Sequence, residues 1–126
     1  MHEMGIANSV LDGVRTEMRR YPGAYPSKVC LRIGEMAAID QDALRFCFEA
    51  ITRGTDLEAL ELEIELCPRR HRCLDCGRDF VVHDYLFQCP DCASSATKCI
   101  SGDELEFAYL EVEEHGTITV GTQSTQ

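Results

Sequence analysis

Positive charge is scarce in this sequence. Twelve lysines and arginines stand against 22 aspartates and glutamates, giving a net charge of −10 over 126 residues. Phosphate backbones are held by clustered Lys and Arg, so this balance argues against nucleic acid as the main partner and suits cations or basic protein surfaces. Long apolar runs are missing too. No stretch approaches the ~20 apolar residues of a membrane span. The opening MHEMGIANSV has neither a basic region nor a cleavable apolar core, so no secretory signal is expected. There is no GxxxxGKS/T phosphate loop, and Ser9, Ser27 and the four histidines form no readable nucleophile–base set, so no enzyme is expected.

Cysteine, by contrast, is abundant. Eight cysteines without a signal segment point to a reducing, cytoplasmic compartment, where metal ligation is expected over a disulfide framework. A chain this short buries a modest core, so a structural metal would matter to its stability.

The apolar pattern places the elements. Met4, Ala7, Leu11, Val14 and Met18 recur at helical spacing over 4–20, and YPGAYP at 21–26 stops that helix. KVCLRI at 28–33 alternates as a strand, with Val29, Leu31 and Ile33 on one side. Asp40 is a candidate N-cap for a second helix at about 41–53, in which Leu44, Phe46, Cys47, Phe48 and Ile51 nearly encircle the axis and predict deep burial. In EALELEIEL at 58–66, Leu60, Leu62, Ile64 and Leu66 alternate with glutamates, the pattern of a strand with one wet face. ELEFAYLEVE at 104–113 is a third strand whose apolar phase switches near Tyr109, which suggests a bulge. The expected class is α+β: two helices packed on a three-stranded mixed sheet, with a zinc-ribbon-like cysteine module inserted before the last strand. The expected domains are 1–66 plus 103–115, the module at 67–102, and a flexible polar tail at 116–126.

Within that module, Cys73-Leu-Asp-Cys76-Gly77 and Cys89-Pro-Asp-Cys92 are two CxxC pairs with twelve residues between them. Two thiolates three positions apart on a tight turn can grip one ion, and two such turns complete a tetrahedron of sulfurs. Gly77 suits the turn after the first pair, Pro90 stiffens the second, and RDFVVHDYLFQ between them has the texture of a short hairpin. Structural zinc is the first expectation. Rubredoxin-like iron and a dithiol redox role are alternatives. Cys67 and Cys99 flank the module, and with His71 and His83 they are further candidate ligands, while Cys30 and Cys47 read as packing residues. The CxxC pairs also permit a zinc-ribbon nucleic-acid-binding or adaptor module, for which Arg69, Arg70, His71 and Arg72 would supply the basic run.

A second metal pattern stands at Met1-His2-Glu3. The Met1 amine, the His2 backbone amide and the His2 imidazole can form fused chelate rings around one ion. Glu3 could add its amide or its carboxylate. Tetragonal nitrogen and oxygen sets of this kind suit Ni(II) or Cu(II).

Met1-His2-Glu3, LRIGE at 31–35, FCFE at 46–49, the paired CxxC motifs and GDELEFAYLEVE at 102–113 occur in the order found in one family. The chain resembles, over about residues 1–113, the HypA/HybF nickel-insertion proteins of NiFe hydrogenase maturation. The resemblance implies a nickel domain and a zinc domain. It implies nickel, carried as cargo, on His2 with Glu3 and the Met1 amine assisting, and structural zinc on Cys73, Cys76, Cys89 and Cys92. It further implies delivery to the hydrogenase large subunit with a HypB-type GTPase and, for some members, a part in urease maturation.

Overall fold

A computed structural model describes residues 3–114 and the backbone of 117–121. In chain order the elements are α1 (Glu3–Met18), β1 (Tyr25–Gly34), a single 3₁₀ turn (Glu35–Ala37), α2 (Gln41–Thr52), β2 (Glu61–Cys67), β3 (Arg70–Cys73), β4 (Asp79–Val81), β5 (Thr97–Ser101), β6 (Leu105–Glu114) and β7 (Thr117–Gly121). The strands form two sheets, ordered β2-β1-β6-β7 and β4-β3-β5. The chain separates into two compact units: residues 1–32, 39–65 and 106–126, and residues 33–38 with 66–105.

The first unit is α+β. Ile6, Ala7, Val10, Leu11 and Val14 form the buried stripe of α1, at the spacing of one helical face. Asp40 caps α2, its carboxylate accepting from the Ala43 N–H at 3.1 Å. The two helices pack together, and Phe107 of β6 lies against Gly13 of α1, where an added Cβ would come within 3.2 Å of its ring. Lys28 and Arg32 of β1 pair with Glu63 and Glu65 of β2, so the partners rise together, as in parallel strands. Ser27 and Arg32 meet Glu111 and Glu106 of β6, so here one number falls as the other rises, as in antiparallel strands. The sheet is therefore mixed, as expected. Phe107, Leu110 and Val112 are all buried, which puts the change of phase on β6 beside Tyr109.

Three sequence expectations change in this unit and its neighbouring strand ends. Phe46 is 72% exposed and Cys47 only half-buried, so α2 is not encircled. Its buried stripe is Leu44, Phe48 and Thr52, because Asp42, Arg45 and Glu49 hold the other side in water. Leu66 is 56% exposed, so the alternation that buries Leu60 and Leu62 fails at the end of β2. Residues 117–121, assigned to the flexible tail, instead add β7 to β6 with Leu110 opposite Gly121 and Glu114 opposite Thr117. The β-branched run TITV favours that pairing. The remaining tail positions 116 and 122–126 lie outside the described residues.

The second unit contains both CxxC motifs and a three-stranded antiparallel sheet, with Arg72 of β3 opposite Asp79 of β4 and Lys98 of β5. The expected hairpin between the CxxC pairs is absent. Only Asp79–Val81 is strand, and it pairs with β3. Beyond it Asp84 and Tyr85 turn the chain in left-handed conformations. Residues 33–38, given by sequence to the other domain, belong to this unit. The backbone N–H of Gly34 donates to Glu104 O at 2.7 Å and that of Met36 to Gly102 O at 2.6 Å. A Cβ at Gly34 would fall 2.1 Å from the Gly102 carbonyl oxygen, so only glycine permits this approach. The Glu35 carboxylate accepts from the Arg69 N–H at 3.0 Å. That gives Glu35 a positioning role for which the sequence offered no physical reason.

Candidate metal centre

The two CxxC turns repeat one hydrogen-bond scheme. The Cys73 N–H donates to Arg78 O and the Gly77 N–H to Cys73 O; the Cys89 N–H donates to Ser94 O and the Ala93 N–H to Cys89 O. Gly77 and Ala93 both take the left-handed conformation that the turn requires, with φ of +79° and +59°. Each turn also grips the other. Arg78 donates to Asp91 at 2.6 Å, and the Ser94 hydroxyl donates to Asp75. Sequence reading missed this reciprocity, although Asp stands before the second cysteine in both CLDC and CPDC.

The turns bring four sulfurs together. All four Sγ atoms lie within 4.8 Å of one another, with 3.5 Å between Cys73 and Cys92 and 3.6 Å between Cys76 and Cys89. A zinc–thiolate bond of ~2.3 Å places sulfurs ~3.8 Å apart in a tetrahedron, so the set fits one zinc ion. A disulfide would need ~2.05 Å. Cys73 and Cys89 are buried against Phe80 and Val82, whereas Cys76 and Cys92 are exposed. Two of the four cysteines thus make up half of this small buried cluster.

The thiols do not ionise alike. The Cys76 backbone N–H, aimed at the Cys73 sulfur from 3.4 Å, does most to lower the Cys73 pKa, to about 7. At Cys92 the Ser94 N–H favours the thiolate, but the neighbouring Cys73, burial, and Cys89 and Cys76 outweigh it and push the pKa up to about 12. Four thiols in one small space cannot all lose protons without a cation to balance them. A bound divalent ion would supply that balance.

The flanking candidates stay out of the cluster. Among the described residues no histidine or further cysteine joins the four. Arg69 Nε donates to His71 Nε2 at 3.0 Å, and His71 Nδ1 meets the Thr97 hydroxyl at 3.0 Å, which in turn donates to Phe87 O. Since Arg69 can only donate, His71 is neutral with its proton on Nδ1, and neither nitrogen is free for a metal. Burial, then the Arg69 charge, lowers its pKa. Its ring stacks on Phe87 at 5.4 Å, and the Arg69 guanidinium lies 4.5 Å over the same Phe87 ring. Arg72 is held by Asp79 at 2.7 Å. The basic run is therefore largely committed within the fold, which weakens the nucleic-acid alternative. Cys99 contacts Met36 Sδ at 3.6 Å, and His83 is exposed.

Of the N-terminal set, Met1 and His2 lie outside the described residues. Glu3 opens α1 and sits in its first turn, where the helix dipole favours a carboxylate.

The sequence profile of one family, described as "Hydrogenase/urease nickel incorporation, metallochaperone, hypA", matches residues 1–112. The hydrogenase maturation factor HypA of Geobacter metallireducens is 41% identical over 113 residues, 90% of this chain and all of that protein. That of Acidithiobacillus ferrooxidans is 37% identical over the same shares. Among solved structures, the nickel metallochaperone HypA from Helicobacter pylori superposes with a TM-score of 0.59 at 21% identity, covering 87% of this chain and 96% of that one. A second HypA solution structure gives 0.64 at 23% identity, covering 87% of this chain and 94% of that one. At these identities the two structures speak to the fold alone.

Proposed function

Because this chain belongs to the HypA family of hydrogenase and urease nickel-incorporation metallochaperones, we propose that it carries Ni(II) at its N-terminus and delivers it to the large subunit of a NiFe hydrogenase. The observation that carries the reading is the extent of the family match. It begins at Met1, so it takes in Met1-His2-Glu3 as well as both CxxC motifs.

In this reading His2 is the principal nickel ligand, and the Met1 amine and Glu3 complete the grip. Cys73, Cys76, Cys89 and Cys92 hold a zinc ion that closes the second unit and is not consumed; the spacing of their sulfurs supports this. The protein is a carrier and not an enzyme. It acts in the cytoplasm beside a HypB-type GTPase, since it has no phosphate loop of its own, and in some settings beside urease maturation proteins. No helix among the described residues is long and apolar enough to cross a membrane. Cargo must leave as well as bind, so a docked partner offering better ligands completes the transfer.

The test is a calorimetric nickel titration of zinc-loaded protein with a native N-terminus, beside His2→Ala. Binding of about one nickel per chain is expected, lost in the variant while zinc content and fold persist. Affinity in the parent should fall as pH drops toward ~6.5, where protons compete for the imidazole. Equal binding by both proteins would move nickel away from the N-terminus. No binding by either would favour the zinc-ribbon adaptor.

A further inference from the structure

Within the α+β unit, a groove of about 290 Å³ lies between α2 and β2. Phe48, Leu60 and Leu62 lie beneath it and are buried. Glu49, Glu58 and Glu61 supply three exposed carboxylates, against the guanidinium of Arg45 among the lining residues and the Lys28 ammonium of β1, which feels the charge of Glu61. Among the described residues none of these three carboxylates forms an ion pair. Acidic residues alone would be no more than a solvated surface. What sets this place apart is the strand beside them.

In the described sheet β2 is an end strand. The outer side of an end strand carries N–H and C=O groups with no strand to pair with. Arg45 reveals where one of them points, because its Nη1 donates to the Leu62 carbonyl oxygen at 2.8 Å. The Leu62 carbonyl therefore faces the α2 side of the strand. Ile64, two residues on, directs its backbone the same way. The groove thus combines an open strand edge with an excess of negative charge, and one of its edge acceptors is already occupied by a cationic donor from within the chain.

We propose that this groove receives an extended basic segment of another protein, added alongside β2 as a further strand. Main-chain pairing would supply its register, and lysine or arginine side chains would sit among Glu49, Glu58 and Glu61. A second copy of this chain is the poorer occupant. Pairing β2 with another β2 would set Glu61, Glu63 and Glu65 against the same residues, and like charges directly opposed destabilise a strand pair. Arg45 is a built-in gate on the edge, since an incoming strand has to displace it from the Leu62 carbonyl. Strand addition at β2 does not depend on where nickel binds.

The probe is a fluorescent peptide of ordinary strand length, alternating lysine and valine, added to the full zinc-loaded protein and followed by anisotropy and hydrogen exchange. Binding is expected, with new protection of β2 amides. The double variant Glu58→Lys/Glu61→Lys, both positions exposed, should weaken binding about tenfold while leaving the melting curve near that of the parent. A peptide N-methylated along its pairing edge should weaken by a similar factor, since it keeps the charge and loses the donors. Three results would overturn the proposal: no binding of the lysine–valine peptide, binding that N-methylation leaves unchanged, or self-association of the free protein that already protects the β2 amides. The second would reduce the effect to plain charge attraction, and the third would give the edge to a second copy.

Discussion

Gly77 and Ala93 hold the same place after the second cysteine of each motif and the same left-handed backbone, yet one is glycine and the other is not. The left-handed region costs a residue with a Cβ roughly 1–2 kcal/mol, offset in part by the greater freedom glycine has when unfolded. Nothing lies within 4 Å of a Cβ built at Gly77, so backbone conformation is the term being tested there. Gly77→Ala should therefore lower stability by about 1 kcal/mol, and Ala93→Gly should raise it by about 0.5 kcal/mol. Denaturant unfolding of both variants under saturating zinc reads the two signs. Equal effects of the same sign would mean the turns are not equivalent. The sequence announced Gly77 but was silent on Ala93, because a backbone angle is visible in sequence only where glycine marks it.

α1 is tied to the segment after α2 by Arg15, which meets both carboxylate oxygens of Asp56 at 3.3 and 3.1 Å. The Arg15 hydrogen bond, assisted by its charge, holds the Asp56 carboxyl below the usual carboxylate range against a smaller opposing effect of desolvation. A carboxyl with a depressed folded-state pKa contributes stability that is present above its unfolded value of ~3.9 and lost as pH falls through the folded one. Asp56→Asn should accordingly lower the melting temperature slightly near neutral pH, by an amount that shrinks at high salt and closes as pH falls through the depressed folded-state value. Melts at several pH values check this, and a gap that persisted in acid would point to lost packing instead. At this scale most of the pattern was legible. The α1 stripe, the Asp40 cap, the alternation at Leu60 and Leu62 and the phase change near Tyr109 all follow from periods of 3.6 and 2. Phe46 and Leu66 misled because hydrophobicity gives a residue's preference, while exposure depends on what the fold lays over it.

Over the whole molecule the two units differ in what holds them together. The first buries two helix stripes and a sheet face; the second has a small buried cluster of Cys73, Phe80, Val82 and Cys89, two of them ligands in the proposed zinc site. So few apolar residues do not support a fold unaided, and metal binding would become folding free energy. Stripping the metal with a chelator should collapse amide protection across 66–105 while α1 and α2 keep theirs, as read by hydrogen exchange. Uniform loss in both units, or none, would contradict a zinc role confined to the second.

The sequence by itself determined the ingredients: the acidic balance, the elements of the α+β unit, the family, and a four-cysteine set whose spacing already implied a single ion. Those are local properties, carried by composition, period and short intervals along the chain. The tertiary structure decided the rest. It joined residues 33–38 to the cysteine unit through Gly34 and Glu35, added β7 to the sheet, committed both nitrogens of His71, and opened the β2 edge beside three exposed carboxylates. Each of these depends on which distant segments meet, and contacts between distant segments leave no periodic trace in the order of residues.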